Sequence, residues 1–126
     1  MFESYFLNLK GHQYLALSTR RINGEVVLTP VWFVQDGEII YVWTGRQSGK
    51  VKRLKANPEV FIGPCDFRGT LLGAQFDALA SVHELSENER VEDLFIEKYA
   101  EQFSQMVAQD PQSKSQVVFL SIIPPI

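Results

Sequence analysis

Residues Gln13–Thr44 read QYLALSTRRINGEVVLTPVWFVQDGEIIYVWT, and this stretch decides the fold. Two dipeptides punctuate it. Asn23-Gly24 and Asp36-Gly37 are pairs that accept the positive φ angles of a tight two-residue hairpin turn. The runs around them are apolar and rich in β-branched and aromatic residues, which suit a pleated, half-buried surface. The pattern predicts strands over Gln13–Thr19, Glu25–Val34 and Glu38–Thr44, joined as an antiparallel meander. Pro30 falls inside the second strand. It has no N–H for a ladder, so that part of the strand belongs at an edge or a bulge.

Working outward, Gly45–Lys55 (GRQSGKVKRLK) has the Val51/Leu54 spacing of a short helix, stopped at Asn57-Pro58. Glu59–Gly63 is a fourth strand. Pro64–Gly73 reads as a loop, because Pro64, Gly69 and Gly73 punctuate it. Gln75–Leu85 is a fifth strand, with Phe76, Ala78, Ala80 and Val82 on one face. Ser86 with Glu89 fits a capping box. It opens a helix running to about Val107, whose stripe is Val91, Phe95, Tyr99 and Phe103. Ala108–Ser115 is a polar loop, and Gln116–Ile123 is a last strand ended by Pro124-Pro125. The expected fold is mainly β: a β-barrel of about six antiparallel strands with two flanking helices, because closure removes exposed edges. One domain, 1–126, is expected.

Composition narrows the partners. The net charge of −3 argues against a general nucleic-acid binder, which carries a basic excess. Cys65 stands alone, so no disulfide can form within the chain. No apolar run reaches bilayer length, and Met1–Lys10 lacks the basic-then-apolar pattern of a signal peptide. A cytoplasmic location is expected. Nine Phe, four Tyr and two Trp are many rings for so short a chain, so some are expected at a ligand site or a subunit interface.

Arg46, Lys50, Lys52, Arg53 and Lys55 are five of the twelve basic residues, and no Asp or Glu occurs from Ile39 to Pro58. Thr44 and Ser48 add hydroxyls. Gly45 and Gly49 allow close backbone approach, and the segment opens a helix whose first N–H groups favour an anion. A phosphate site and a solvated basic helix face both fit these residues. Nucleotide hydrolysis does not: only three residues separate Gly45 from Gly49, and Val51 follows Lys50, against the phosphate-loop pattern.

Side-chain chemistry is otherwise thin. His12 and His83 are far apart, so a metal site has little support. Cys65 reads better as a small buried residue than as a nucleophile. Asp66 and Asp77 could pair, but turn and strand-end roles suit them better. No catalytic residue is assigned. A difficult reaction step would therefore belong to a bound cofactor. Thr29-Pro30-Val31-Trp32 and Tyr41-Val42-Trp43-Thr44 could wall a planar ring. Composition alone favours Trp32 and Trp43 as plain core or interface aromatics.

The run TPVWFVQDGEIIYVWTGRQSGKVKRLKANPEV, Thr29–Val60, resembles the pyridoxamine-phosphate-oxidase-like split β-barrel superfamily. Its most specific part is the spacing of Thr44, Ser48 and Lys50 ahead of Asn57-Pro58. GPCDFRG (Gly63–Gly69) and KYAEQF (Lys98–Phe103) resemble the branch described as coenzyme F420-dependent. The resemblance implies a homodimer with a cofactor between two barrels. It implies that Thr44, Ser48 and Lys50 grip the cofactor's phosphate, with Lys52 and Arg53 as further candidates. The ring would lie along Thr29, Pro30, Val31 and Trp32, shielded also by Trp43. True pyridoxamine phosphate oxidases carry basic residues on the second strand, where this chain has Thr29–Val34. They also have an Arg/His-bearing C-terminal segment, whereas this sequence ends at Ile126. That particular oxidation is not expected.

The leading expectation is an oxidoreductase that passes hydride from reduced coenzyme F420, or else FMN, to a small organic acceptor. Tyr41 or solvent would supply a proton. The alternatives are a flavin carrier without turnover and a haem-handling barrel with His12 or His83 as axial ligand.

Overall fold

The computed structural model describes residues 5–103 and 116–125. Six antiparallel strands close into a barrel in the order β1-β2-β3-β6-β5-β4. They are β1 (Tyr14–Arg20), β2 (Val26–Asp36), β3 (Ile39–Gly45), β4 (Glu59–Cys65), β5 (Phe76–Glu84) and β6 (Val117–Ile123). Helix α1 (Gly49–Ala56) follows β3, and helix α2 (Arg90–Tyr99) follows β5. Short 3₁₀ turns lie at Leu7–Leu9 and Leu85–Glu87. No helix among the described residues is long and apolar enough to cross a membrane.

The period of two sorts each strand. On β3, Ile40 and Val42 point into the barrel with Leu15, Leu17, Phe33, Ile62, Leu120 and Ile122. Tyr41 and Trp43 point out and pack with Val34 and Phe119 under the Val91/Phe95/Tyr99/Phe103 stripe. The barrel thus has two cores, one inside and one between its wall and α2.

Several element ends differ from the sequence expectation. β4 continues through Pro64 to Cys65, because Pro64 sits opposite Leu15 of β1 while β5 pairs only with Glu59–Ile62. The missing N–H falls on the side away from β1, where the Leu72 N–H donates to Pro64 O at 2.8 Å. Ser86 does not start the second helix. It lies inside the Leu85–Glu87 turn, whose capping box joins Glu84 and Glu87, with the Glu84 N–H donating to Glu87 Oε2 at 2.6 Å. α2 begins at Arg90 and ends at Tyr99, where Ala100 takes φ 50°. Residues 101–103 are helical again. The expected helix beyond Phe103 and the loop Ala108–Ser115 lie outside the described residues.

β2 and β3 do not pair along their whole length. Their ladder runs from Asp36↔Ile39 to Phe33↔Val42 and stops. From there β2 continues against β1 as far as Val26↔Arg20, and β3 against β6 as far as Gly45↔Val117. Pro30 lies in the stretch of β2 paired only with β1, opposite Ala16. The missing donor therefore faces no lost ladder bond, which is the edge position expected of it.

Two residues of α2 tie down the point where the strands part. The Tyr99 hydroxyl accepts from the Phe33 N–H at 2.9 Å and lies within donating distance of Gln13 O (2.7 Å) and Phe33 O (2.9 Å). It bridges the start of β1 to β2. Lys98 Nζ donates to Phe33 O at 2.8 Å and sits 3.5 Å from the centre of the Phe33 ring. Burial pushes the Lys98 ammonium down to about 8. Between about pH 8 and the ordinary lysine range, the unfolded chain therefore holds a proton that the folded chain has released. Stability rises with pH in that window. Burial pushes the Tyr99 phenol up, so ionisation of tyrosine opposes folding above its ordinary value. Urea unfolding at pH 7.5 and 9.5 is expected to show wild type gaining stability relative to Lys98→Met. An unchanged difference would remove Lys98 as the titrating group.

Candidate functional site

Where β2 and β3 part, a cleft of about 270 Å³ opens. Pro30, Val31 and Trp32 line it from β2, and Trp43 and Thr44 from β3; Tyr14 and Lys50 complete it. Six of the ten sequence-derived site residues therefore meet in one place: Pro30, Val31, Trp32, Trp43, Thr44 and Lys50. A seventh, Ser48, stands at the rim, its Oγ 3.5 Å from Thr44 Oγ1.

α1 starts here for a local reason. Ser48 is its N-cap and accepts from the Val51 N–H at 3.4 Å. Val51 and Leu54 anchor the helix against the barrel core, and Asn57 closes it. Lys50, one residue past the first helical position, is thereby directed to the cleft. It is half-buried and makes no hydrogen bond or ion pair among the described residues. Burial first, and then the charge of Arg53, pull its ammonium below the ordinary lysine range. An anion placed against it would relieve both effects.

The two tryptophans serve in both of the ways weighed above. Trp32 stacks on Tyr99 with ring centres 4.4 Å apart, and Trp43 meets Phe103 edge-on at 4.9 Å. Both belong to the core beneath α2, and both are cleft walls.

The other basic residues go elsewhere. Arg46 forms a two-pronged ion pair with Glu84, 2.5 Å on each arm. Lys52 and Arg53 line a different cavity on the far side of α1, and Arg53 Nε donates to Thr19 Oγ1 at 2.6 Å. Thr29 is half-buried opposite Leu17 and does not line the cleft. Tyr41 lies buried under α2, with Asn88 Nδ2 3.4 Å from its hydroxyl, away from the cleft. Sequence reasoning missed Tyr14. Its signal was register: it is the β1 residue opposite Trp32.

The minor candidates have structural roles. Cys65 is buried, and burial first and Asp66 second push its thiol up, which is the wrong direction for a nucleophile. Asp66 caps its own turn, accepting from the N–H groups of Arg68 and Thr70. Asp77 is exposed on β5. His83 stacks on Phe119, with Nε2 2.7 Å from Ser121 Oγ. Neither histidine lines the cleft.

The barrel is closed and antiparallel, and it parts between β2 and β3 beside the lysine-bearing start of α1. The chain belongs to the family described as Pyridoxamine 5'-phosphate oxidase, whose family model matches residues 4–124. No curated protein sequence matches it. Among solved structures it is similar to an F420 reductase, at 21% identity and a TM-score of 0.69, covering 100% of this chain and 97% of that one. It is similar to the haem-storage protein HutZ from Vibrio cholerae at 20% identity and TM-score 0.71, covering 93% and 84% of the two chains. A FAD-binding protein from Mesorhizobium loti aligns at 12% identity and TM-score 0.64, covering 94% and 84%. These likenesses establish the fold.

Proposed function

We propose that the protein is an oxidoreductase that holds a flavin-type cofactor, coenzyme F420 first and FMN second, in the split between β2 and β3. The observation that carries this reading is Lys50: half-buried, with no carboxylate partner among the described residues, and beside the hydroxyls of Thr44 and Ser48 and the walls of Trp32 and Trp43. A phosphate binds such a donor set, and a planar ring stacks on such walls. The bound cofactor would supply hydride transfer to or from a small organic acceptor. The chain's own share is to grip the phosphate, orient the ring and keep water from it with Pro30, Val31 and the tryptophans. Tyr14 brings a phenol to the same cleft. β2 presents no cation there, which sets the site apart from that of a pyridoxamine phosphate oxidase. The resemblance of Gly63–Gly69 and Lys98–Phe103 to the F420-dependent branch puts that cofactor first.

The working unit in this proposal is a homodimer. A cleft of about 270 Å³ is smaller than the ≈ 300–1,000 Å³ of sites that enclose a ligand, so a second surface is needed to close it. The surface next to it is apolar. Gly69, at φ +87°, packs on Leu28 and Pro30, and a Cβ there would stand 3.1 Å from Leu28 Cδ2. Around this turn Leu28, Phe67, Leu71 and Leu72 are exposed. A second copy seated here would cover them and close the cleft. Sedimentation is expected to show a dimer that Phe67→Glu dissociates, with loss of cofactor affinity. A monomer that binds cofactor tightly at sub-micromolar protein would sink the dimeric site.

The direct test is a parallel titration with F420 and FMN, followed by Trp fluorescence. Trp32 and Trp43 line the cleft, so a cofactor bound there must quench them. Quenching by one of the two at micromolar concentration is expected, and by neither would overturn the reading. A panel of quinone and enone acceptors then separates a reductase from a carrier.

A further inference from the structure

α1 carries its cations on two faces. Lys50 serves the cleft, while Lys52 and Arg53 line a second cavity of about 540 Å³. Its opposite wall is the end of β1 and the hairpin turn after it, which bring Arg20 and Arg21. Four basic residues thus border it, with no carboxylate among the described residues that line it; the Arg20 guanidinium also stacks over the Phe61 ring at 4.8 Å. Among the described residues the Arg21 side chain pairs only with exposed Glu25, at 3.8 Å, which does little to neutralise it. Arg20 Nε is buried and has no hydrogen-bond partner among the described residues. Arg53 is held in place by buried Thr19, and Gly49 leaves it room: a Cβ there would stand 2.8 Å from its terminal nitrogen.

We propose that this cavity is a second anion site, separate from the cofactor cleft, for a small oxyanion of several charges, an oligophosphate or an oligocarboxylate. Like charges bordering one concavity repel one another, and an anion relieves that repulsion. Guanidinium forks match phosphate and carboxylate oxygens two at a time. The chain's net charge of −3 disfavours a long polyanion, so the ligand is small. The site uses none of the cleft residues and stands whether or not the cofactor assignment does.

The test is calorimetric titration of the intact chain with pyrophosphate and with citrate at low ionic strength. The Lys50→Ala protein removes the cation of the cleft. It is expected still to bind. Adding Lys52→Ala, an exposed change that leaves the fold intact, is expected to weaken binding by about tenfold, and adding Arg21→Ala to weaken it further. Tighter pyrophosphate binding identifies a phosphate ligand and tighter citrate binding a carboxylate ligand; either supports the site. No binding to the Lys50→Ala protein, or binding untouched by Lys52→Ala, overturns it.

Discussion

Lys50→Ala is expected to weaken cofactor binding by about 1.5–3 kcal/mol, on the order of ten- to a hundredfold in Kd. Among the described residues Lys50 is the cation lining the cleft, and no carboxylate there competes for it. The variant removes a charge-assisted contact while leaving the aromatic walls in place. Little stability should be lost, because Val51 and Leu54, not Lys50, fasten α1 to the core. Two signatures separate a phosphate contact from general damage. Affinity in wild type should fall as salt rises, and that dependence should be shallower in the variant. Lys50→Arg should restore part of the affinity, because charge is kept while reach and geometry change. Unchanged affinity with an unchanged circular dichroism spectrum would remove Lys50 from the site.

Phe95→Ala is expected to cost about 3–5 kcal/mol of folding free energy. Phe95 is fully buried. It meets Trp43, Tyr99 and Phe103 with ring centres 6.0, 5.9 and 5.6 Å away. The space it leaves lies between rigid rings on a helix and a strand, which cannot collapse far. Trp43 also walls the cleft, so loss of its backing should loosen cofactor binding under conditions where the variant remains folded. Ile96→Ala, an exposed neighbour on the same helix, is the control and should cost no more than about 0.5 kcal/mol. Equal losses in urea unfolding for the two variants would mean that the core under α2 does not hold the fold together.

Much of this was open to reading from the residues. Gly24 and Gly37 marked the hairpins because their positive φ is a local demand, although the first loop runs over Arg21–Glu25 and is longer than the two-residue turn expected. The four-residue spacing of Val91, Phe95 and Tyr99 marked a helix face for the same reason. The Val51/Leu54 spacing marked a short helix over Gly45–Lys55, but the cap at Ser48 starts it only at Gly49, and Gly45 still belongs to β3. What escaped were features fixed by contacts far apart in sequence. The break at Ala100 carries no glycine or proline signal, so periodicity ran through it. Tyr14 became a cleft residue only by standing opposite Trp32 in the β1–β2 register.

The sequence by itself determined the strands, the turns, the first helix and the sign of the charge beside it, because each depends on neighbours within a few residues. The tertiary structure decided where β2 leaves β3, and hence that a cleft exists at all. It also decided that Lys50 faces that cleft while Lys52 and Arg53 face away from it. The physical reason is barrel closure. β3 pairs with β6 and β1 with β4, and these long-range ladders set the register that parts the strands and fixes the face α1 turns to each cavity.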